Sequence, residues 1–281
     1  MTTPVFIAVI AAALLHATWN ALVKGGADKH LSMAAVVLGH LPPALLALIF
    51  VPSPAAESFV FILAGAALHV GYQLFLMHAY KVGDLTQVYP IARGSAPLIV
   101  AGIAVAFLGA ELSGMEIIGV VTIGVGLISM SLVRQADGLR NAQAARLALV
   151  AGGFIAAYSL IDGYGARLAG TALGFYGWLA LGNGLAFAAI TAWREPGMLA
   201  RIPADAGKEF LLGGSASFTA FALVIWSFTH APIAVVAALR ETSIIFALLI
   251  GVVFLKERLD LARVVASMIT LTGAIILRFA R

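Results

Sequence analysis

The sequence predicts an all-α integral membrane protein in which ten transmembrane helices form two inverted five-helix repeats. The first observation is composition: hydrophobic residues make up 62% of the chain and charged residues 11%, against about 45–50% and about 25% in a soluble domain. The second is that ten apolar segments are each long enough to cross about 30 Å of hydrocarbon as a helix. The third is an internal repeat, which indicates that the two halves are built alike.

The ten segments follow one another through short connections, the longest of which span 134–146 and 194–208. The first of these connections joins the two halves. The N-terminal segment lacks the basic stretch of a signal peptide, which favours an uncleaved span. The predicted spans are 4–24, 30–50, 58–80, 85–108, 114–133, 146–166, 170–193, 209–229, 231–255 and 261–280.

The internal repeat consists of two similar stretches, Val88–Glu111 and the stretch that begins at Val235. A shift of 147 residues pairs Arg93 with Arg240. Because five spans is an odd number, the second half enters the membrane from the opposite side, so 1–140 and 141–281 are predicted to be inverted repeats. Many secondary transporters share this plan, with a site near the midplane. The same shift also pairs Val88 with Val235, Ile103 with Ile250, Val105 with Val252, Phe107 with Phe254, Leu108 with Leu255, Leu112 with Leu259 and Gly126 with Gly273.

Charged side chains inside the predicted spans are candidates for function, because an intramembrane charge is costly and needs a partner or a wet cavity. Arg93 and Arg240 either flank a substrate carboxylate or phosphate, or are neutralised inside the bundle and only fix helix packing. Asp162 and Glu241 are their candidate charge partners or proton-coupling groups. Cross-helix pairs of Arg93 with Glu241 and of Arg240 with Asp162 fit the pattern, whereas the adjacent Arg240 and Glu241 point about 100° apart on a helix and are not expected to pair.

Polar and aromatic side chains mark one face of three predicted spans. The third span places His69, Tyr72, Gln73 and Tyr80 on one face and His78 on the opposite one. Such a stripe suits a cavity for an amphiphilic solute, or alternatively a set of interhelical hydrogen bonds. Similar groups occur in the first span, with His16, Thr18, Trp19 and Asn20, and in the sixth, with Tyr158, Ser159 and Asp162.

Several classes of function have no support in the sequence. The chain has no cysteine, which excludes disulfides, a thiolate nucleophile and cysteine metal sites. It also has no phosphate loop, HExxH helix or GxSxG elbow, so we predict no enzyme activity, no metal and no cofactor. The net charge of +4 is typical of cytoplasmic loops in membrane proteins, and nucleic acid is not an expected partner.

The fourth segment of each half ends in a Leu-Gly-(x)-Glu or Leu-Lys-Glu pattern, at Phe107–Glu111 and Phe254–Glu257. With the ten spans, this pattern resembles the drug/metabolite transporter superfamily of EamA type over the whole chain. The third segment resembles that of the bacterial amino acid exporters, with Tyr72 on a cavity tyrosine. Arg93–Ala96, which include Ser95, fall where those exporters line the cavity with aromatic residues. The sixth segment lacks their tryptophan, so a smaller or more polar amino acid fits better than an aromatic one.

The resemblance implies a secondary transporter in the bacterial cytoplasmic membrane that exports amino acids or similar small metabolites by alternating access. Its expected partners are the small-molecule substrate and the lipid bilayer, and a monomer is compatible with the sequence. One alternative is an exporter of drugs or lipophilic cations, against which two buried arginines argue. A second, from another class, is a membrane enzyme or a lipid-handling scaffold.

The orientation of the chain follows from its cations. With ten spans, the side that carries the termini holds Arg167, Arg278 and Arg281, while the opposite side holds twelve of the 17 lysines and arginines. The positive-inside rule then places both termini outside the cytoplasm. The family resemblance implies the reverse, termini in the cytoplasm. The twelve are Lys24, Lys29, Lys81, Arg134, Arg140, Arg146, Arg194, Arg201, Lys208, Lys256, Arg258 and Arg263.

Overall fold

A computed structural model describes residues 1–82, 85–130, 142–253 and 261–280. These residues form helices and connecting turns, with no strand among them. The all-α prediction is confirmed for this part of the chain. The helices are α1 (Thr3–Gly25), α2 (Lys29–Leu38), α3 (Leu41–Phe50), α4 (Phe59–Val82), α5 (Leu85–Phe107), α6 (Gly114–Met130), α7 (Ala142–Leu168), α8 (Ala172–Arg194), α9 (Met198–Asp205), α10 (Gly214–Phe228), α11 (Ile233–Arg240), α12 (Ser243–Val253) and α13 (Leu261–Phe279).

Eight stretches of the described residues are long and apolar enough to cross a membrane. They correspond to eight of the ten predicted segments. The segment predicted at 114–133 is a shorter apolar helix, Gly114–Ser129, and the one at 261–280 contains α13, which has 19 residues. The ten-span count and the inverted repeat therefore stay predictions. The eight are Thr3–Gly25, Lys29–Phe50, Ala56–Leu76, Pro90–Phe107, Ala145–Leu168, Ala172–Arg194, Glu209–Phe228 and Ile233–Val253.

The second candidate span is interrupted where α2 gives way to α3, at Gly39 and His40. Pro42 and Pro43 follow in the first turn of α3, where a missing N–H breaks no helical hydrogen bond. Gly39 is required here because a Cβ at this position would lie 2.0 Å from the carbonyl oxygen of Phe210. The interruption thus brings the backbone of α2–α3 against the π-helical turn Glu209–Gly213 that precedes α10.

A second interruption separates α11 from α12, directly after Arg240. The N–H groups of Glu241 and Thr242 donate to carbonyls three residues earlier, and the Thr242 hydroxyl donates to the carbonyl of Leu239. These bonds satisfy the backbone where the helix tightens, and the turn is buried in protein, the setting in which irregular backbone is tolerated at membrane depth. The internal repeat predicts that this span resembles α5. The two differ, because α5 runs unbroken through Pro90 and Pro97.

The two halves share a broad interface. α7 packs against α4 and α5, while α1 packs against α10 and α12. α6 and α13 approach closely at Gly119 and Gly273, as small residues at membrane helix crossings allow. A Cβ on either glycine would lie within 3.3 Å of the backbone of the other helix. Large apolar side chains such as Phe50, Phe107 and Leu185 are exposed on the outside, as a lipid-facing surface requires. The polar side chains described next lie inside this bundle.

Candidate functional site

The two repeat-related arginines meet at one carboxylate. Arg93 on α5 donates from Nε to Oε2 of Glu241 at 2.7 Å, and its Nη2 lies 3.4 Å from the Ser243 hydroxyl oxygen. Both charges are buried, with Arg93 3% and Glu241 1% exposed. The Arg93–Glu241 pair considered from the sequence is thus present, and it links the two halves through a charge-assisted hydrogen bond.

Arg240 approaches the same carboxylate from the other side. Its Nε lies 3.8 Å from Oε1 of Glu241, so the expectation that these neighbours cannot pair was wrong. The contact forms at the end of α11, where the backbone tightens into bonds between residues three apart. At 3.8 Å the contact is an ion pair and not a hydrogen bond. Arg240 Nε and Glu241 Oε1 are both buried without a hydrogen-bond partner among the described residues.

Asp162 on α7 pairs with His69 on α4 instead of with Arg240. The distance from His69 Nε2 to Asp162 Oδ2 is 2.8 Å, and Asp162 is 1% exposed. Its other oxygen, Oδ1, has no partner in the described part of the chain. A second buried link between the halves therefore contains groups that can gain or lose a proton. It lies close to the first, since the guanidinium of Arg240 is 6.0 Å from the ring of Tyr158, which stacks on His69.

Two residues of the polar face predicted for α4, His69 and Tyr72, contact Tyr158 on α7. His69 stacks on Tyr158 with 4.1 Å between ring centroids, and Tyr72 meets Tyr158 edge-on at 5.8 Å. The amide oxygen of Gln73 is buried without a hydrogen-bond partner among the described residues. The side chains of His78 and Tyr80 lie outside the described residues.

The candidates on α1 divide into two kinds. His16 packs edge-on against Trp19 at 4.9 Å and is buried. Trp19 Nε1 is a buried donor with no described partner. Asn20, in contrast, donates to the carbonyl of His16 on its own helix. Ser95 likewise donates to the carbonyl of Ala92 at 3.3 Å, so these two side chains bond locally rather than across the bundle.

Aromatic and polar residues from α8, α10 and the α2–α3 break were missed by the sequence analysis. His40 is buried between Tyr176, Phe218 and Phe221. Asn183, two turns after Tyr176 on α8, has a buried oxygen without a described partner. A signal was present for His40, because an ionisable residue in the middle of an apolar span is a functional candidate by default. For Tyr176 and Asn183 the signal was a spacing of seven residues on one helix.

Outside the membrane core, Asp28 begins α2. Its carboxylate accepts from the N–H groups of His30 and Leu31, each at 3.1 Å. The bond from Leu31, aided by the nearby Arg201, holds the pKa of this carboxyl below its usual value against the opposing effect of partial burial. Asp28 is thus an N-cap that ties the α1–α2 connection to α9 through Arg201 Nη1, 3.5 Å from its Oδ2. Among the described residues no group of three or more histidine and acidic side chains could hold a metal ion.

Comparisons with known proteins bear on this arrangement. Residues 143–279 match the family model described as the EamA-like transporter family. A crystal structure of another protein matches with a TM-score of 0.71 over 98% of this chain and 96% of that chain, at 16% identity. This likeness shows the fold alone. A comparison with curated proteins found no match.

The family match and the apolar helices point to the same kind of protein. The eight candidate spans describe a multi-pass membrane protein, and the EamA-like family consists of small-molecule transporters rather than enzymes. The second half of the chain is therefore an EamA-like transporter domain, which supports its place among the EamA-type proteins of the drug/metabolite transporter superfamily.

Proposed function

We propose that this protein is a secondary transporter that exports amino acids or similar small zwitterionic metabolites across the bacterial cytoplasmic membrane. The observation that carries the proposal is a buried cluster of opposite charges whose hydrogen-bonding capacity is incompletely used. Arg240 Nε is a charged donor without a described partner, Glu241 Oε1 lies 3.8 Å from it as an acceptor in the same condition, and Asp162 Oδ1 is a further such acceptor in the bundle. Buried polar atoms are normally paired, so a ligand of matching chemistry would satisfy them.

A zwitterion carries one negative and one positive group, and each has a partner of opposite charge in this cluster. Its carboxylate would bind the Arg240 guanidinium, which presents donors in a fork that suits carboxylates. Its ammonium would donate to Glu241 Oε1 or to Asp162 Oδ1. Trp19 Nε1 is a further unpaired donor on the α1 face that holds His16. Tyr158 and Tyr72 supply an aromatic wall that covers the apolar part of the solute.

Arg93 has a supporting role in this proposal. Its guanidinium already donates to Glu241 at 2.7 Å, so it fixes the carboxylate that receives the ammonium. Arg240 approaches that carboxylate only to 3.8 Å and has a donor left for the substrate. The sequence left open whether the two arginines bind substrate or are neutralised inside the bundle, and we assign the direct contact to Arg240 and the neutralised role to Arg93.

Alternating access requires that the site lie between parts that move. Both buried contacts join the first half to the second, Arg93 to Glu241 and His69 to Asp162. Rocking of the halves would open this interface towards one side of the membrane and then the other. The break after Arg240 supports the same role, because discontinuous helices form the substrate sites of many transporters.

The test is uptake of a panel of labelled amino acids into proteoliposomes, with and without a pH gradient. We expect the wild-type protein to transport at least one amino acid of the panel. Arg240→Gln should lose this transport, because the carboxylate of the substrate loses its charged partner. Arg146→Gln is the matched control, since Arg146 is exposed near the start of α7. Undiminished transport by Arg240→Gln would refute the assignment of this arginine. A folded wild-type protein that moves no amino acid would refute the substrate class.

A further inference from the structure

His40 is a buried histidine that the proposed binding of a zwitterion leaves unused. It is 6% exposed, and its ring contacts Tyr176, Phe218 and Phe221 at centroid distances of 6.4, 6.2 and 6.4 Å. The backbone beside it cannot shift easily, because a Cβ on Gly214 would lie 2.4 Å from the Cα of Gly39. Packing on both sides therefore fixes where this imidazole lies.

The hydrogen bond of Tyr176 determines which ring nitrogen of His40 carries the proton. The Tyr176 hydroxyl lies 3.4 Å from His40 Nδ1, and Tyr176 is 2% exposed. A buried phenol donates to an acceptor where it can, and Nδ1 is the acceptor that the described residues offer it. Nδ1 is then unprotonated, so the neutral imidazole carries its proton on Nε2. This Nε2–H is a buried donor with no described acceptor.

A row of rings connects this donor to the charged cluster. The Phe221 ring contacts both His40, at 6.4 Å, and His69, at 5.6 Å. His69 in turn stacks on Tyr158, over which Arg240 lies. A solute whose charged end binds Arg240 and Asp162 would therefore extend along Phe221 towards His40. The imidazole lies at the other end of this row of rings from Arg240.

We propose that His40 selects α-amino acids whose side chain ends in a hydrogen-bond acceptor, such as a carbonyl oxygen. The inference rests on the proposed function and names the substrate class of that site. The Nε2–H donates to the acceptor, while the methylene groups of the side chain lie against Phe218 and Phe221. A side chain of equal length without an acceptor leaves the Nε2–H unpaired, which is the strongest way for a polar site to reject an analogue.

Glutamine and methionine are suitable probes, because their side chains have similar length and differ in the terminal acceptor. In proteoliposomes we expect faster initial uptake of glutamine at low concentration by the wild-type protein. His40→Phe should lower the ratio of glutamine to methionine uptake by about three- to tenfold, the effect of one buried hydrogen bond, through the KM for glutamine. His40→Gln keeps an N–H donor and should retain part of the preference.

Two further variants complete the design. Tyr176→Phe removes the hydroxyl that fixes the tautomer, so the ratio should fall between those of wild type and His40→Phe. His230→Phe, an exposed histidine after α10, should leave the ratio unchanged. An unchanged ratio in folded His40→Phe overturns the role of His40 and leaves the proposed function standing; if that variant does not fold, an unchanged ratio in Tyr176→Phe has the same force. A wild-type protein with no preference for glutamine overturns the inference, and one that transports no amino acid overturns both proposals.

Discussion

Arg93 and Arg240 are related by the internal repeat but differ in their contacts. Arg93 Nε donates a hydrogen bond to Glu241 at 2.7 Å, whereas Arg240 Nε lies 3.8 Å from that carboxylate and makes no hydrogen bond to it. The repeat predicted that two cations reach a common region, and they do meet at Glu241. It could not predict which one is neutralised, because that depends on the break after Arg240 and on the side chain of Ser243, neither of which has a counterpart in α5.

This difference makes Arg93 the stability determinant of the pair. Arg93→Gln should leave Glu241 buried with only the more distant Arg240, and removing one partner of a buried ion pair costs about 3–5 kcal/mol. We expect a lower unfolding temperature in detergent, measured by thermal denaturation monitored by circular dichroism. Arg93→Gln combined with Glu241→Gln should recover part of the loss, since no uncompensated acid remains.

The exposed Arg146 provides the control, because Arg146→Gln removes a charge that is not part of the pair. An Arg93→Gln protein as stable as wild type would show that the pair contributes nothing to folding. In that case Arg93 would be available to bind substrate directly, which is one of the two alternatives that the sequence leaves open.

At the scale of elements, the helices were easier to predict than their interruptions. Apolar length alone located the segments, because a span of bilayer needs about 20 apolar residues whatever the neighbours. The breaks at Gly39–His40 and after Arg240 depend on neighbouring helices that satisfy or crowd the backbone. The prolines were a poor guide, since Pro42 and Pro43 lie at an interruption while α5 runs through Pro90 and Pro97. Arg240 and Glu241, at the second break, were predicted from their charge, whereas His40, at the first, was missed although an ionisable residue in an apolar span is a functional candidate.

The contact of the α2–α3 break with α10 can be tested through its glycines. A Cβ on Gly39 would lie 2.0 Å from the Phe210 carbonyl oxygen and 2.9 Å from the Gly214 Cα. Backbone cannot move aside as a side chain can, so Gly39→Ala should destabilise the protein by at least the roughly 1–3 kcal/mol typical of overpacking. The measurement is the unfolding temperature of the purified protein.

Gly102→Ala is the matched control, because a Cβ there has nothing within 4 Å and alanine favours a helix interior over glycine by roughly 0.5–1 kcal/mol. It should be neutral or slightly stabilising. If Gly39→Ala were equally harmless, the close approach of the two backbones would not constrain the fold, and His40 would not be held by it.

At the scale of the whole molecule, contacts in the structure join helix ends that the predicted spans place on the same side. On the predicted side of the termini Arg278 donates to the Thr3 hydroxyl oxygen at 3.0 Å, and Arg167 donates to the carbonyls of Phe228 and Ala231 at 2.9 Å. On the other side Arg201 reaches Asp28 at 3.5 Å. These sets agree with the sides assigned from the spans. They do not indicate which side faces the cytoplasm, which depends on the cations.

The cation count gives a definite expectation for orientation. Of the three cations on the side of the termini, Arg167 bonds to backbone carbonyls at the end of α10 and Arg278 bonds to the start of α1. Both thus have structural partners, while Arg194 and Arg201 lie exposed on the opposite side. Because retained cytoplasmic loops carry the excess of lysine and arginine, we expect both termini outside the cytoplasm.

Fusion of a reporter that is active only in the cytoplasm decides the matter. A fusion at the C-terminus should be inactive, and a fusion inserted between Arg194 and Lys208 should be active. The reverse pattern would show that the chain adopts the orientation implied by its family resemblance despite its charges. It would also place Asp28 and Arg201 on the side of the membrane that faces away from the cytoplasm.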